Sequence, residues 1–370
     1  MEVRDSLKFI QVDFTQHQRK KMKLVILHLS DIHIKYDSDE ILKYPREIAQ
    51  TLFDSLTDVG ELFIIVSGDI AYSGKTEQYD LAITFFSQIE EEVKKETNTK
   101  VSFIICPGNH DCNFEQDTSV RQLVIADINK SPDSVDIEKI KLCTSIQNEY
   151  FIFRDLLEPE CKFKDDLLVK YEFNLLGYKV TFNSLNISWM SKLHESQGYM
   201  SYPIKQYEGG LENDSDLTIS IMHHPLNWFH QTIYRDLRYI LRKSSDLIIT
   251  GHEHIGNIGT HTDAESGSSA FIEGTVLQNN GMQESAFNII KIDIEEKLFC
   301  SRKFQWDKNI FKPINEGSWL DWHHLNINKN KIAGITDTFL KKLEDPGAYF
   351  VHQNVTELSL SDIYIYPDLV

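Results

Sequence analysis

Five short clusters of Asp, Asn and His punctuate the chain: Asp31 and His33; Gly68-Asp69; Gly108-Asn109-His110-Asp111; His223 and His224; and Gly251-His252-Glu253-His254. Carboxylate and carboxamide oxygens and imidazole nitrogens are ligands for divalent ions, and imidazole also moves protons near neutral pH. A mixture of imidazole and carboxylate favours borderline transition metals over the all-oxygen sites of magnesium or calcium. One such cluster carries little weight, since an isolated Asp-x-His is usually a solvated strand end and a lone Gly-Asp a turn. Five in order, built from the same ligand types, point to one assembled site.

Each cluster closes an apolar run: KLVILHLSDIH (23–33), ELFIIVSGD (61–69), VSFIICPGNHD (101–111), LTISIMHHP (217–225) and DLIITGHEH (246–254). Short apolar runs rich in β-branched residues read as buried strands. Between them lie helical patterns, clearest from Thr76 through YDLAITFFSQIEEEVKK, where apolar residues recur at three and four. Strand, helix, strand is the βαβ rhythm of a parallel sheet, and ligand sites in such sheets gather at the carboxyl ends of the strands. From Asp31 to Asp69 is 38 residues, from Asp69 to Asn109 is 40, and from His223 to His252 is 29, each the length of one βαβ unit. Asp31 and His33, like His252 and His254, are two apart and would share a face of a strand end.

The 114 residues between Asn109 and His223 break the rhythm. Residues 113–166 are helical and charge-rich, the pattern of an insertion or cap. Residues 167–188 alternate around Leu176-Gly177-Tyr178, a hairpin signal. The runs AFIEGTVLQ, SAFNIIKIDI and LFCSRKFQW between 270 and 306 read as further antiparallel strands. The expected architecture is a four-layer α/β/β/α sandwich, two mixed sheets flanked by helices, over residues 23–320. Residues 1–22 read as an extension or a mis-assigned start. Residues 321–370 read as a linker or docking segment, with NVTELSLSDIYIYPDLV alternating like a strand.

Composition narrows the function classes. The chain has 370 residues, and 38 Lys and Arg against 56 Asp and Glu leave a net charge of −18. Such a surface repels polyanions, which disfavours long duplex DNA and anionic membranes. Five scattered cysteines with no C-x-x-C spacing suit a reducing compartment, and no apolar run approaches the roughly 20 residues of a spanning helix. The expectation is a cytoplasmic protein.

Written as SDIH, SGD, PGNHD, MHHP and TGHEH, the ordered series resembles the calcineurin-like metallophosphoesterases over residues 23–305. The resemblance implies two divalent transition-metal ions, manganese first and iron or zinc as alternatives. Asp69 would bridge them, Asp31, His33 and His254 would complete one, and Asn109, His223 and His252 the other. Two such ions clamp the attacking and leaving oxygens of an in-line phosphoryl displacement, and a bound water of lowered pKa is the nucleophile. His110 is then left to protonate the leaving oxygen, with Asp111 to orient its ring. One departure stands out: the family often has Asp or Asn three residues after the Gly-Asp aspartate, and this chain has Tyr72.

Among remaining candidates, His224 is a supporting residue to His223, while Trp228, Phe229 and Tyr72 could flank the entrance and stack a nucleobase; plain loop packing is the competing reading. Resemblance favours a phosphodiester of nucleotide type: a cyclic nucleotide, a small diester or a nucleic-acid end. A phosphomonoesterase and an inactive scaffold on the same fold are the alternatives. The C-terminal segment loosely resembles the join between a phosphoesterase effector domain and a following NTPase or sensor domain of large bacterial defence proteins, which would make the chain a partner-gated effector; a strand that completes the same domain is the competing reading.

Overall fold

The structure, a computed structural model, describes residues 23–322 except 58, 133–134, 212–213, 264–266 and 279–281. The expectations for residues 1–22 and for 323–370 lie outside the described residues.

Strands β1 (Lys23–Leu29), β2 (Glu61–Ser67) and β3 (Lys100–Cys106) lie parallel and adjacent. Their helices are α1 (Pro45–Gln50) and α2 (Thr76–Glu96). Helices α3 (Ser119–Lys130), α4 (Ile137–Thr144) and α5 (Asn148–Leu157) follow, then the edge strand β4 (Phe163–Lys164). Strands β5 (Leu168–Leu175) and β6 (Tyr178–Leu185) form the expected hairpin, with Leu176 and Gly177 both at positive φ, as a tight two-residue turn demands. Helix α6 (Ile204–Leu211), β7 (Leu217–Ile221), α7 (Gln231–Ser244) and β8 (Leu247–Thr250) restore the βαβ rhythm. Strands β9 (Ile258–Asp263), β10 (Gly267–Glu273), β11 (Ala286–Asp293), β12 (Leu298–Asp307), β13 (Ile310–Pro313) and β14 (Trp319–Asp321) complete the two sheets.

The first sheet runs β13-β12-β11-β1-β2-β3, with β14 also on β12; the second runs β4-β5-β6-β7-β8-β10-β9. Each is mixed: β11 is antiparallel to β1 and to β12, while β6, β7, β8 and β10 are mutually parallel. The expectation that the run at 270 is antiparallel holds only toward β9; against β8 it is parallel.

Period-two alternation decides the layers. In β1, Leu24 and Ile26 face the second sheet and meet Phe182, Ile219 and Ile249, whereas Val25 and Leu27 face outward to Phe86 and Ile89 of α2. The outer face of the second sheet is covered by Ile125, Ile140, Leu211, Leu237 and Leu241 from α3, α4, α6 and α7. Helix, sheet, sheet, helix is the resulting order. The helices between residues 113 and 166 belong to these helix layers: Phe153 of α5 stacks on Tyr79 of α2 at 4.9 Å, and α3 and α4 join the opposite layer.

Candidate metal centre

All five polar clusters meet beyond the carboxyl ends of β1, β2, β3, β7 and β8. They arrive there by turns, not on strand faces as the i, i+2 spacing had suggested. Asp31, His33, Asp69, His252 and His254 each have φ between 52° and 73°. Non-glycine residues pay steric strain in this region, of order 1–3 kcal/mol each, and it is typically stored at functional sites. The left-handed bends turn successive side chains inward from strands that have already ended.

Asp31 and Asp69 are buried, and among the described residues their ion pairs are all with imidazole. Asp31 Oδ1 lies 3.1 Å from His254 Nε2 and 3.9 Å from His33 Nε2. Asp69 Oδ2 lies 3.3 Å from His223 Nε2 and 3.9 Å from His33 Nε2. Its other oxygen accepts from the His110 main-chain N–H at 2.8 Å. His223 Nδ1–H donates to the Ser67 carbonyl at 2.8 Å, which turns Nε2 toward Asn109 Oδ1 and His252 Nδ1, each 3.2 Å away. His252 Nδ1 is 3.1 Å from the same Asn109 oxygen.

Electrostatics reinforce the geometry. Burial works against ionising Asp69, but His223 and the neighbouring imidazoles outweigh it and hold the carboxyl well below its usual range. Asp31 is likewise lowered, burial being outweighed by the hydrogen bond from His254 and by His223. Burial opposes charge on His223 too, yet Asp69 pushes its pKa up to about 10. Among the described residues no Lys or Arg pairs with either aspartate. Asp31 Oδ1 meets only imidazole nitrogens, and His33 Nδ1 has no hydrogen-bond partner among the described residues. Two buried carboxylates, one carboxamide and four imidazoles with inward-facing donor atoms fit divalent cations. Asp31, His33 and His254 form one grouping with metal-ligand spacing, and Asp69 groups both with Asp31 and His223 and with His33 and His110.

Glycine makes this approach possible at Gly108, where a methyl would overlap Asp69 Oδ1, and at Gly68, at φ 95°, where it would meet His223 Nδ1 at 2.5 Å.

The profile of calcineurin-like phosphoesterases matches residues 24–256. This chain belongs to the calcineurin-like phosphoesterase family. No curated protein matches. Among solved structures, GAP50, the anchor in the inner membrane complex of Plasmodium, is similar at 14% identity, covering 83% of this chain and 93% of its own, with a TM-score of 0.45. A dimetal phosphatase from Danio rerio is similar at 13% identity, covering 81% of this chain and 99% of its own, with a TM-score of 0.44. Zinc-bound Vps29 from Entamoeba histolytica is similar at 11% identity, covering 81% and 100%, with a TM-score of 0.30.

In this member of the family the neighbours of the cluster differ from expectation at several points. Asp111 does not orient His110. Its carboxylate accepts the main-chain N–H groups of Gly108, Ala71 and Ile70 at 2.8, 2.9 and 3.2 Å and the Tyr79 hydroxyl at 3.0 Å. These four donors pull it beneath the loops, away from the ring. His110 Nδ1–H donates instead to the main-chain oxygen of Tyr72 at 2.8 Å. His224 is fully buried, with Nε2 2.8 Å from Glu195, a partner that sequence spacing did not expose because it comes from the loop after β6. Trp228 sits at the rim, its ring 4.2 Å from that of His252 and its indole N–H donating to Glu253 at 2.6 Å. Phe229 is 3% exposed and belongs to the core beneath α7, so it does not flank an entrance. His28, on β1, was overlooked: its Nε2 pairs with the Ser67 hydroxyl at 2.8 Å, and burial lowers its pKa to about 4.

Proposed function

We propose that this chain is a two-metal phosphodiesterase acting on small nucleotide-type phosphodiesters. The observation that carries the reading is the buried Asp31–Asp69 pair, ringed by imidazoles and lacking any Lys or Arg partner among the described residues. Asp69, whose Oδ2 lies 3.9 Å from His33 Nε2 and 3.3 Å from His223 Nε2, would be the residue shared by the two ions. Asp31, His33 and His254 hold one ion, and Asn109, His223 and His252 the other; manganese is the expected metal, with iron or zinc as alternatives. Bound there, the ions supply Lewis acidity and lower the pKa of water.

The chain's own groups do the rest. The main-chain oxygens of Ser67 and Tyr72 hold His223 and His110 through fixed hydrogen bonds, which sets the donor atoms in place before substrate arrives. His110, with its Nδ1–H donated to the Tyr72 carbonyl, keeps Nε2 for the leaving oxygen and, when the ring carries a second proton on Nε2, gives that proton up and returns to the Nδ1–H tautomer. The net charge of −18 supports a small substrate over long nucleic acid.

The test is hydrolysis of a bis-aryl phosphodiester and a mono-aryl phosphate by metal-stripped protein, manganese-loaded protein and manganese-loaded Asp69→Asn. Metal-dependent turnover that favours the diester and disappears in Asp69→Asn is expected. A preference for the monoester would replace the diesterase reading with a phosphatase one, and no turnover with two bound ions would sink both.

A further inference from the structure

We propose that Lys35, Tyr36 and Tyr72 form a base-binding subsite beside His110, so that the substrate's organic group carries a heteroaromatic base. This rests on the phosphoesterase reading and deepens it. Tyr72 is 42% exposed and Tyr36 58% exposed, and neither belongs to the three apolar cores. The Tyr72 ring stands 5.5 Å from the His110 ring, while its main-chain oxygen accepts from that same histidine. One residue therefore fixes the acid and presents an aromatic face next to it.

The loops that carry these rings are tied together. Ile34 and Ala71 form a parallel bridge, and the Tyr72 N–H donates to the Ile34 carbonyl at 3.0 Å. Across the loop, Asp39 accepts from the main-chain N–H of Lys35 at 2.6 Å and of Tyr36 at 3.1 Å. Between the rings sits the Lys35 ammonium, 4.1 Å from the centre of Tyr72 and 5.2 Å from that of Tyr36. Among the described residues it forms no ion pair with a carboxylate, in a chain where acids outnumber bases 56 to 38.

Packing does not account for two exposed phenol faces on loops held this firmly, and a solvated cation over a ring stabilises little. A ligand accounts for both. A planar base stacks on a tyrosine face regardless of its identity, and the ammonium meets negative charge on the same molecule. The subsite lies beside His33 and His110, so a phosphoryl group at the metal ligands leaves its organic substituent within reach of Tyr72.

The experiment is calorimetric titration of the manganese-loaded protein with AMP and with ribose 5-phosphate, which share phosphate and sugar and differ by the base. Wild type should bind AMP at least about 10-fold more tightly, the order expected of one stacked base. Tyr72→Leu and Tyr36→Leu should each reduce that advantage, Tyr72→Phe should keep it, and ribose 5-phosphate affinity should stay constant throughout. Equal affinity for the two ligands in wild type, or an AMP advantage that survives both leucine variants, overturns the subsite alone. If neither ligand binds and neither aryl ester is hydrolysed, the phosphoesterase reading falls and the subsite with it.

Discussion

His110 Nδ1 lies 2.8 Å from the main-chain oxygen of Tyr72, so the ring is oriented by a backbone carbonyl and not by a carboxylate. A carbonyl holds the Nδ1–H without lending the ring a full negative charge, so the proton available to a leaving oxygen is the second one, on Nε2 of the imidazolium. Replacing His110 by Asn should lower kcat by roughly 10²–10⁴-fold, as for loss of a general acid. The loss should grow with the pKa of the leaving alcohol while metal stoichiometry stays at wild-type level. A loss equal for nitrophenolate and alkoxide leaving groups would contradict proton donation.

Gly108→Ala tests how tightly the loop closes on Asp69. The added methyl overlaps the Asp69 carboxylate oxygen and main-chain nitrogen, both part of the backbone-fixed turn. Metal affinity should fall at least about tenfold, the low end of what displaced ligand support costs. Titration of the stripped protein with manganese measures it, and unchanged affinity would mean that the loop gives way freely.

Asp111 is a scaffold residue, and its removal should be felt in stability first. Asp111→Asn keeps the shape but presents an amide to three main-chain N–H groups and a hydroxyl. Leaving buried donors unmatched costs about 1–3 kcal/mol. Thermal unfolding should show a drop of that order, whereas His110→Asn should leave the midpoint close to wild type.

Glu158 sets a pH dependence away from the metal ligands. Burial raises its pKa to about 8, with the Tyr171 hydroxyl and Arg154 only partly opposing it. The folded value exceeds the ordinary 4.5, so this stabilising contribution is complete below about pH 4.5 and is lost as pH rises through about 8. Glu158→Gln, which cannot ionise, should lose less stability than wild type between those limits, by a difference on the order of a few kcal/mol. Denaturant unfolding at pH 5 and pH 9 gives the comparison, and parallel losses in both proteins would refute it.

Much of the candidate site is legible in the chain because its residues are chemically distinctive. Asp31, His33, Asp69, Asn109, His223, His252 and His254 follow buried strands, β1 to β3 parallel in one sheet and β7 and β8 parallel in the other, and parallel neighbours end on one side. The hairpin at Leu176-Gly177 is equally readable, since its turn residues must adopt positive φ. The Asp111 assignment failed for a definable reason. Adjacency to His110 suggested a side-chain pair, but in a tight 3-10 turn the aspartate faces back onto the N–H groups of Gly108, Ile70 and Ala71.

Residue types and their order along the chain thus determined the layered fold and which Asp, Asn and His side chains cluster at its strand ends, because burial and polarity both depend on side-chain chemistry. Tertiary structure decided which way those side chains point and what steadies them. The carbonyls of Ser67 and Tyr72 orient His223 and His110, yet every residue carries a carbonyl, so no letter in the sequence marks them. Glu195 meets His224 only because the loop after β6 folds over β7, and Lys35 reaches Tyr72 only because Ile34 bridges Ala71. Those contacts depend on how separate strand ends converge in space, a relationship that spacing along one chain does not encode.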